Sequence, residues 1–296
     1  MFRQYLTRLI AALTLAACTP AFADPAGEPP HSPLDQAAAA AQAAQIEGPT
    51  RVPLGEQATL DLPQGYAFIP QAEAQALMHA MGNMTGPGFY GLILGDAMSG
   101  FVSVSFNPAG YVKDDDAREW NAQELLQNLK DGTEAANEDR RARGIPEFEV
   151  VGWVEKPAYE ATTHRLVWSA ELRDKVVNPE HPAAGVNYNT YQLGREGYIS
   201  MNLVSDLNNV EAAKPRARQL LTALQFNEGK RYADFDASTD KVAAYGLAAL
   251  VGGVAAKKLG LLAVIGAFLA KFGKLGLLAA AGGLVGLKKL LGRKPA

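Results

Sequence analysis

Residues 242–296 contain no aspartate, glutamate, asparagine or glutamine. That absence excludes an ordinary solvated tail, which would mix both charge signs with amides. The charges present are all cationic: Lys257, Lys258, Lys271, Lys274, Lys288, Lys289, Arg293 and Lys294. Cysteine is nearly absent too. Cys18 is the only one, so no intrachain disulfide can form. The common catalytic signatures are also missing: there is no H-E-x-x-H, P-loop, G-x-S-x-G or G-x-G-x-x-G pattern. The four histidines, His31, His79, His164 and His181, show no metal-ligand spacing, so neither metal nor cofactor is expected. Ser238-Thr-Asp-Lys241 matches S-x-x-K but lacks the S-D-N and K-T-G partners that chemistry needs. It reads as the cap of a following helix, with Asp240 in the first turn.

What the C-terminal stretch does contain is apolar. Runs 242–256, 259–270 and 275–287 are separated by lysines. Each is shorter than the roughly 20 residues a spanning helix needs, but a lysine near a helix end can carry its ammonium out to the headgroups. As one helix the segment would reach roughly 80 Å, against a hydrocarbon core roughly 30 Å thick. A helical hairpin, or one span plus an interfacial helix, fits, with the break near Gly273. Gly246, Gly253, Gly260 and Ala267 recur every seven residues. On a helix they form a seam of small side chains suited to close packing in lipid. A basic amphipathic pair lying on anionic lipid is the competing reading.

Residues 1–23 read as a secretory signal, with Arg3 and Arg8, an apolar centre and Ala21-Phe-Ala23. Leu15-Ala-Ala-Cys18 also resembles a lipobox, which would make Cys18 a lipidation site. Both readings export the chain. Residues 24–47, rich in Pro, Ala and Gln, read as a disordered or loosely helical linker. All 31 acidic residues fall between Asp24 and Lys241. An acidic body argues against nucleic acid as a partner, and a basic tail suits the cytoplasmic side of a bilayer.

The body, 48–236, alternates short strands with helices. Strands are predicted at 58–62, 66–69, 90–94, 101–106, 148–154, 164–170, 186–193 and 198–204. Gly194-Arg-Glu-Gly197 joins the last two as a hairpin. Helices are predicted at 71–81, 117–143 and 210–224, with Asp114–Asp116 capping the second. This is an α+β class: an antiparallel sheet with covering helices, followed by a C-terminal transmembrane helical tail over 237–296.

Candidate chemistry is sparse. His164, read as a strand residue, lies near Glu155 and Tyr159 in sequence, and these three are the weak catalytic candidates. Asn187, Asn189, Arg195 and Glu196 could form a binding rim at the sheet end; turn chemistry and a solvated ion pair are the plainer reading.

Several segments carry a resemblance: LGEQATLDLPQGYAFIP (54–70), GYVKDDDA (110–117), NEDRRARG (137–144), VVGWVEKPAYEATTHRLVWS (150–169), NYNTYQLGREGYISMNLV (187–204) and FNEGKRYADFDASTDKVAAYGLAALVGG (226–253). Together they resemble a family of uncharacterised membrane-anchored bacterial proteins, a domain of unknown function. The resemblance implies export and a membrane-anchoring C-terminus, with no established activity to carry over. The opening strand with its P-x-G-Y turn also looks loosely like the PsbP/Mog1 type of α+β sandwich.

The expectation is a bacterial inner-membrane protein whose acidic domain faces the periplasm. Its role would be non-enzymatic contact or scaffolding, with the lipid bilayer as one partner and a protein, or a second copy through the tail, as another. An envelope hydrolase or transferase with a site near His164, and an oligomer-forming membrane-active protein, are the alternatives.

Overall fold

The computed structural model describes residues 32–252, apart from 82, 84, 97, 99, 143–146 and 176–183. The first element is already a departure from the linker expectation. Helix α1 (Pro33–Ala43) opens with a capping box: Ser32 Oγ accepts from the Asp35 N–H at 3.1 Å, and Asp35 returns the bond to the Ser32 N–H at 2.9 Å. Its Ala38 and Ala41 are buried against α2 (Gln71–Ala80), which contributes Ala74, Leu77 and Met78. An alanine-rich run suited the linker reading. It is equally a helix face small enough to lie flat on another helix.

The strands form two sheets. β1 (Ile46–Glu47), β4 (Tyr66–Pro70), β5 (Phe89–Gly95), β6 (Phe101–Asn107), β7 (Phe148–Glu160), β8 (Arg165–Asp174), β9 (Ala184–Leu193) and β10 (Tyr198–Asp206) make an eight-stranded sheet in the order β1-β4-β5-β6-β10-β9-β8-β7. Every neighbouring pair in it is antiparallel. A small sheet has the order β11-β3-β2, from β2 (Thr50–Leu54), β3 (Ala58–Leu62) and β11 (Leu224–Phe226). β2 went unforeseen because Pro53 breaks the strand pattern; it is an edge strand, where a missing N–H is tolerated.

Side-chain alternation sorts the core onto two faces. On one face, the small sheet and α4 (Val210–Ala223) bury Leu60, Leu220 and Leu224 against Phe68, Val104 and Met201. On the other, α1 and α2 cover the β4–β5 end, while α3 (Ala122–Ala142) covers the β7–β9 end with Leu125 and Leu129 on Trp168 and Tyr191. α3 is capped by Asn121, whose Oδ1 accepts from Gln123 N–H at 2.8 Å. Asp114–Asp116 therefore do not cap it, contrary to the sequence reading; they belong to a separate turn ahead of it.

The larger correction concerns the C-terminal end of the domain. The expected tail began at 237, yet residues 237–252 belong to the fold. Tyr111 N–H donates to Lys241 O at 2.8 Å and Ala243 N–H to Tyr111 O at 2.9 Å, making a parallel bridge between Tyr111 and Val242. Leu247 N–H donates to Lys113 O at 3.1 Å. The chain then closes a short helix, α5 (Ala249–Gly252), with Leu247, Leu250 and Val251 buried in the same cluster as Leu125. The run starting at 242 is apolar because it enters protein core first. Among the described residues no helix is long and apolar enough to cross a membrane. Cys18, Gly253, Gly260 and the runs beyond 252 lie outside the described residues.

Asp116 holds this strap. Its carboxylate accepts from the Leu247 N–H at 3.1 Å and the Ala248 N–H at 3.0 Å, two donors that the start of α5 cannot satisfy internally. Gly246 makes the approach possible: a Cβ there would sit 2.4 Å from Asp116 Oδ2. The residue foreseen as part of a lipid-facing seam thus faces a carboxylate. Gly246→Ala is expected to cost about 1–3 kcal/mol in urea unfolding, because relieving the overlap breaks the bonds Asp116 makes. Gly152→Ala, where nothing lies within 4 Å of the added carbon, is the control.

Candidate functional site

The segment 110–116 that receives the strap also builds the most chemically distinctive cluster. Asp114 accepts a hydrogen bond from Tyr159 Oη at 2.6 Å. Tyr159 Oη lies 3.1 Å from His164 Nδ1, and that nitrogen is 3.7 Å from Asp114 Oδ2. The tyrosine hydroxyl has one proton and gives it to the carboxylate. Its contact with the ring then requires Nδ1–H to donate, which leaves Nε2 as the lone-pair nitrogen of the neutral imidazole. Burial, reinforced by Asp114, pushes the Tyr159 phenol well above its ordinary value, so it stays protonated.

His164 does not lie in a strand as expected. It ends the turn between β7 and β8 with φ 53, the one non-glycine at positive φ among the described residues. Its carbonyl accepts from Leu193 N–H at 2.9 Å, and its ring lies 4.1 Å from that of Tyr232. Tyr232 stacks on Tyr111 at 4.3 Å, and Tyr111 on Phe235 at 3.9 Å. The result is a column of rings with the imidazole at one end. Tyr232 Oη donates to Val112 O at 2.9 Å, tying the column back to the 110–116 segment. A strained backbone at a polar cluster marks a place held by its surroundings.

The other candidates are distributed elsewhere. Glu155 points to the opposite face of the sheet. There it pairs with Arg218, lies 3.6 Å from Lys214 Nζ and accepts from Tyr188 Oη at 3.2 Å. Burial pushes the Tyr188 phenol up to about 12. Arg195 forms a two-point pair with Asp240, at 2.6 and 2.8 Å, and reaches Gly229 O at 3.3 Å. Glu196 accepts from Lys230 at 2.7 Å and Gln57 at 2.8 Å. Ser238 starts no helix; its hydroxyl donates to Asp236 at 2.6 Å. Asn187 and Asn189 line a cleft of about 60 Å³ between α3, the sheet and the strap, away from the His164 turn. His79 lies in the last turn of α2.

Sequence reasoning found Tyr159 and His164 but missed Asp114, Tyr111, Tyr232 and Phe235. The three consecutive carboxylates were visible, as was the aromatic spacing at 232–235. What brings them to His164 is the antiparallel register of β7 with β8 and the path of the strap, neither of which is periodic in sequence. Among the described residues no cluster of three metal-ligating side chains occurs.

The comparisons give a family and a distant shape. The family model described as Protein of unknown function (DUF2167) matches residues 46–281. None of the curated proteins compared with the chain matches it. The solution structure of cyanobacterial PsbP (CyanoP) from Synechocystis is similar at 11% identity and a TM-score of 0.36, over 62% of this chain and 91% of that one. At that score the likeness carries no argument; the α+β assignment rests on the strand register above.

Tyr159→Phe is expected to lower stability by about 1–2 kcal/mol and to free the His164 ring from its single tautomer, read from the ring ¹⁵N shifts. His164→Gly should be more stable than His164→Ala by about 1 kcal/mol in urea unfolding, since glycine alone takes this φ without strain. The Arg195 guanidinium holds Asp240 well below the usual carboxylate range. A carboxylate depressed in the folded state adds stability above its unfolded pKa and loses it as pH falls toward the folded value. Asp240→Asn should therefore flatten the acid limb of a stability-versus-pH curve below about pH 4 while changing the neutral slope little.

Proposed function

Starting from a chain that belongs to the DUF2167 family, whose description assigns no activity, we propose a membrane-held binding domain. The acidic α+β body faces the periplasm, and residues 253–296 enter the inner membrane. The supporting observation is the strap. Residues 242–252 are fastened to 110–116 by backbone bonds and by Asp116, so the basic, apolar run that follows leaves directly from the core. A domain so mounted is held close to the surface its tail enters, an arrangement suited to contact with a partner there. The lysines of 253–296, with no acidic residue among them, suit anionic headgroups.

The role read here is contact rather than catalysis. Glu155 is engaged on the other face of the sheet, and Arg195 is spent on Asp240. What remains for the hydrolase or transferase alternative is the Asp114–Tyr159–His164 chain, which leaves a lone pair on Nε2. Self-association through the tail remains the third reading; it has lost Gly246 to the strap and rests on Gly253 and Gly260.

Vesicle flotation tests the anchor. The full-length chain is expected to float with anionic vesicles and to stay bound in 1 M salt, where the Debye length falls to about 3 Å. A chain ending at Gly252, which keeps the strap, should remain at the bottom of the gradient. Release of the full-length chain by salt would replace insertion with surface adsorption.

A further inference from the structure

We propose that the domain lies on the bilayer with one face down: the N-terminal end of α3, where Trp120 and Trp153 seat their rings in the headgroup layer. The two tryptophans come from separate elements and meet at one place. Trp120 stands two residues ahead of α3. Trp153, on β7, donates from Nε1 to Ala122 O, in the first turn of α3, at 2.9 Å. Both are half-buried on the rim of the cluster that holds Leu125 and Trp168, so part of each ring stays at the surface. Trp168, the third tryptophan of the chain, lies inside that cluster and is 9% exposed.

The same end of α3 is where the chain leaves the domain. Gly252, at the end of α5, packs on Leu125 and Asn128: a Cβ there would sit 3.2 Å from Leu125 Cδ2 and 3.3 Å from Asn128 Cβ. Ala122 and Leu125 are about 5 Å apart along the helix axis. Lys257 follows five residues after Gly252, at most about 18 Å of extended chain. A lysine held at the headgroups therefore keeps this end of α3 within reach of the same layer. Tryptophan suits that layer, because its flat amphipathic ring matches a region that is neither hydrocarbon nor water. Four exposed charges flank the pair in sequence, and Arg118 and Lys156 balance Glu119 and Glu124. The face is thus neutral, and its rings rather than its charges set the fit. This orientation rests on residues 253–296 entering the membrane; it adds which way the domain faces once they do.

The test uses the full-length chain on vesicles of phosphatidylcholine and phosphatidylglycerol at about three to one. The phosphatidylcholine carries bromines close to the headgroup end of its acyl chains, where they quench tryptophan emission on contact. Residues 253–296 contain no tryptophan, so insertion of the tail alone leaves the emission unchanged. With the domain face down, the floated chain should lose about a third or more of its emission. Bromines placed deep in the acyl chains should quench at least about twofold less. The double variant Trp120→Phe, Trp153→Phe leaves only the buried Trp168; it should still float, with quenching reduced about threefold or more. If the double variant fails to fold, each single variant should show a partial reduction, and the depth comparison on the unaltered chain still decides. A chain that floats with its emission unchanged would overturn the orientation and leave the membrane reading standing, the face then being free for a protein partner. Quenching that persists in the double variant would overturn it equally. A chain that does not float would remove both.

Discussion

Two backbone N–H groups, those of Leu247 and Ala248, converge on the Asp116 carboxylate, and the C-terminal part of the domain depends on that convergence. Hydrogen bonds to a charged acceptor contribute roughly 1.5–3 kcal/mol each way from satisfied to orphaned. Without Asp116, the Ala248 N–H at the start of α5 would need water beside the fully buried Leu247, whose own N–H also donates to Lys113 O. The same short segment does three further things. Tyr111 bridges Val242, Val112 enters the core, and Asp114 receives Tyr159. Adjacent carboxylates two positions apart thus serve opposite neighbours, one the strap and one the histidine turn. The Arg195–Asp240 pair fastens the approach to the strap from a third direction.

The polar groups of the α3 face are arranged in two ways with different consequences. Around His164 they are chained, each donor matched to an acceptor, and the ring column excludes water from one side. Along the sheet rung from Trp168 through Asn189 to Asn202 they are only partly matched, with Asn202 Oδ1 left over among the described residues. A satisfied chain fixes geometry and tautomer; an unsatisfied amide leaves a demand. The opposite face shows the satisfied case carried to completion, where Tyr188, Glu155 and Arg218 bond one another. That network explains why Glu155, close to His164 in sequence, has nothing to do with it in space. Residues 155 and 159 are separated by one register shift in β7 against β8, between Glu155 and Ala158, which changes the face presented.

Much of the scaffold was legible in the chain. Alternation marked β3, β6, β9 and β10, and the glycine-bounded turn at 194–197 gave their hairpin. Pro70 at its start and Gly82-Asn83 after its end marked α2. The misses share a cause: the residues involved carry a pattern with two physical meanings. An Ala/Gln run is both linker-like and a flat helix face, as at α1. An apolar run with glycines is both lipid-compatible and core-compatible, as at 242–252. Three aspartates before a helix look like caps for it, but Asp116 caps α5 instead and Asp114 receives Tyr159. For the candidate site, two of the residues were legible by type, Tyr159 and His164. Their partners were not, because Asp114 and Tyr232 arrive from segments 45 and more residues away.

Taken alone, the sequence determined the class of fold, the acidic character of the body, and the basic, acid-free character of everything after Lys241. These follow from composition and period, which any window of the chain displays. Only the tertiary structure decided that residues 237–252 belong to the fold, which carboxylate meets which donor, and that His164 sits in a strained turn rather than a strand. Those are properties of pairs distant in sequence. A buried N–H takes whichever acceptor the packing brings within about 3 Å, and no local pattern records which one that will be.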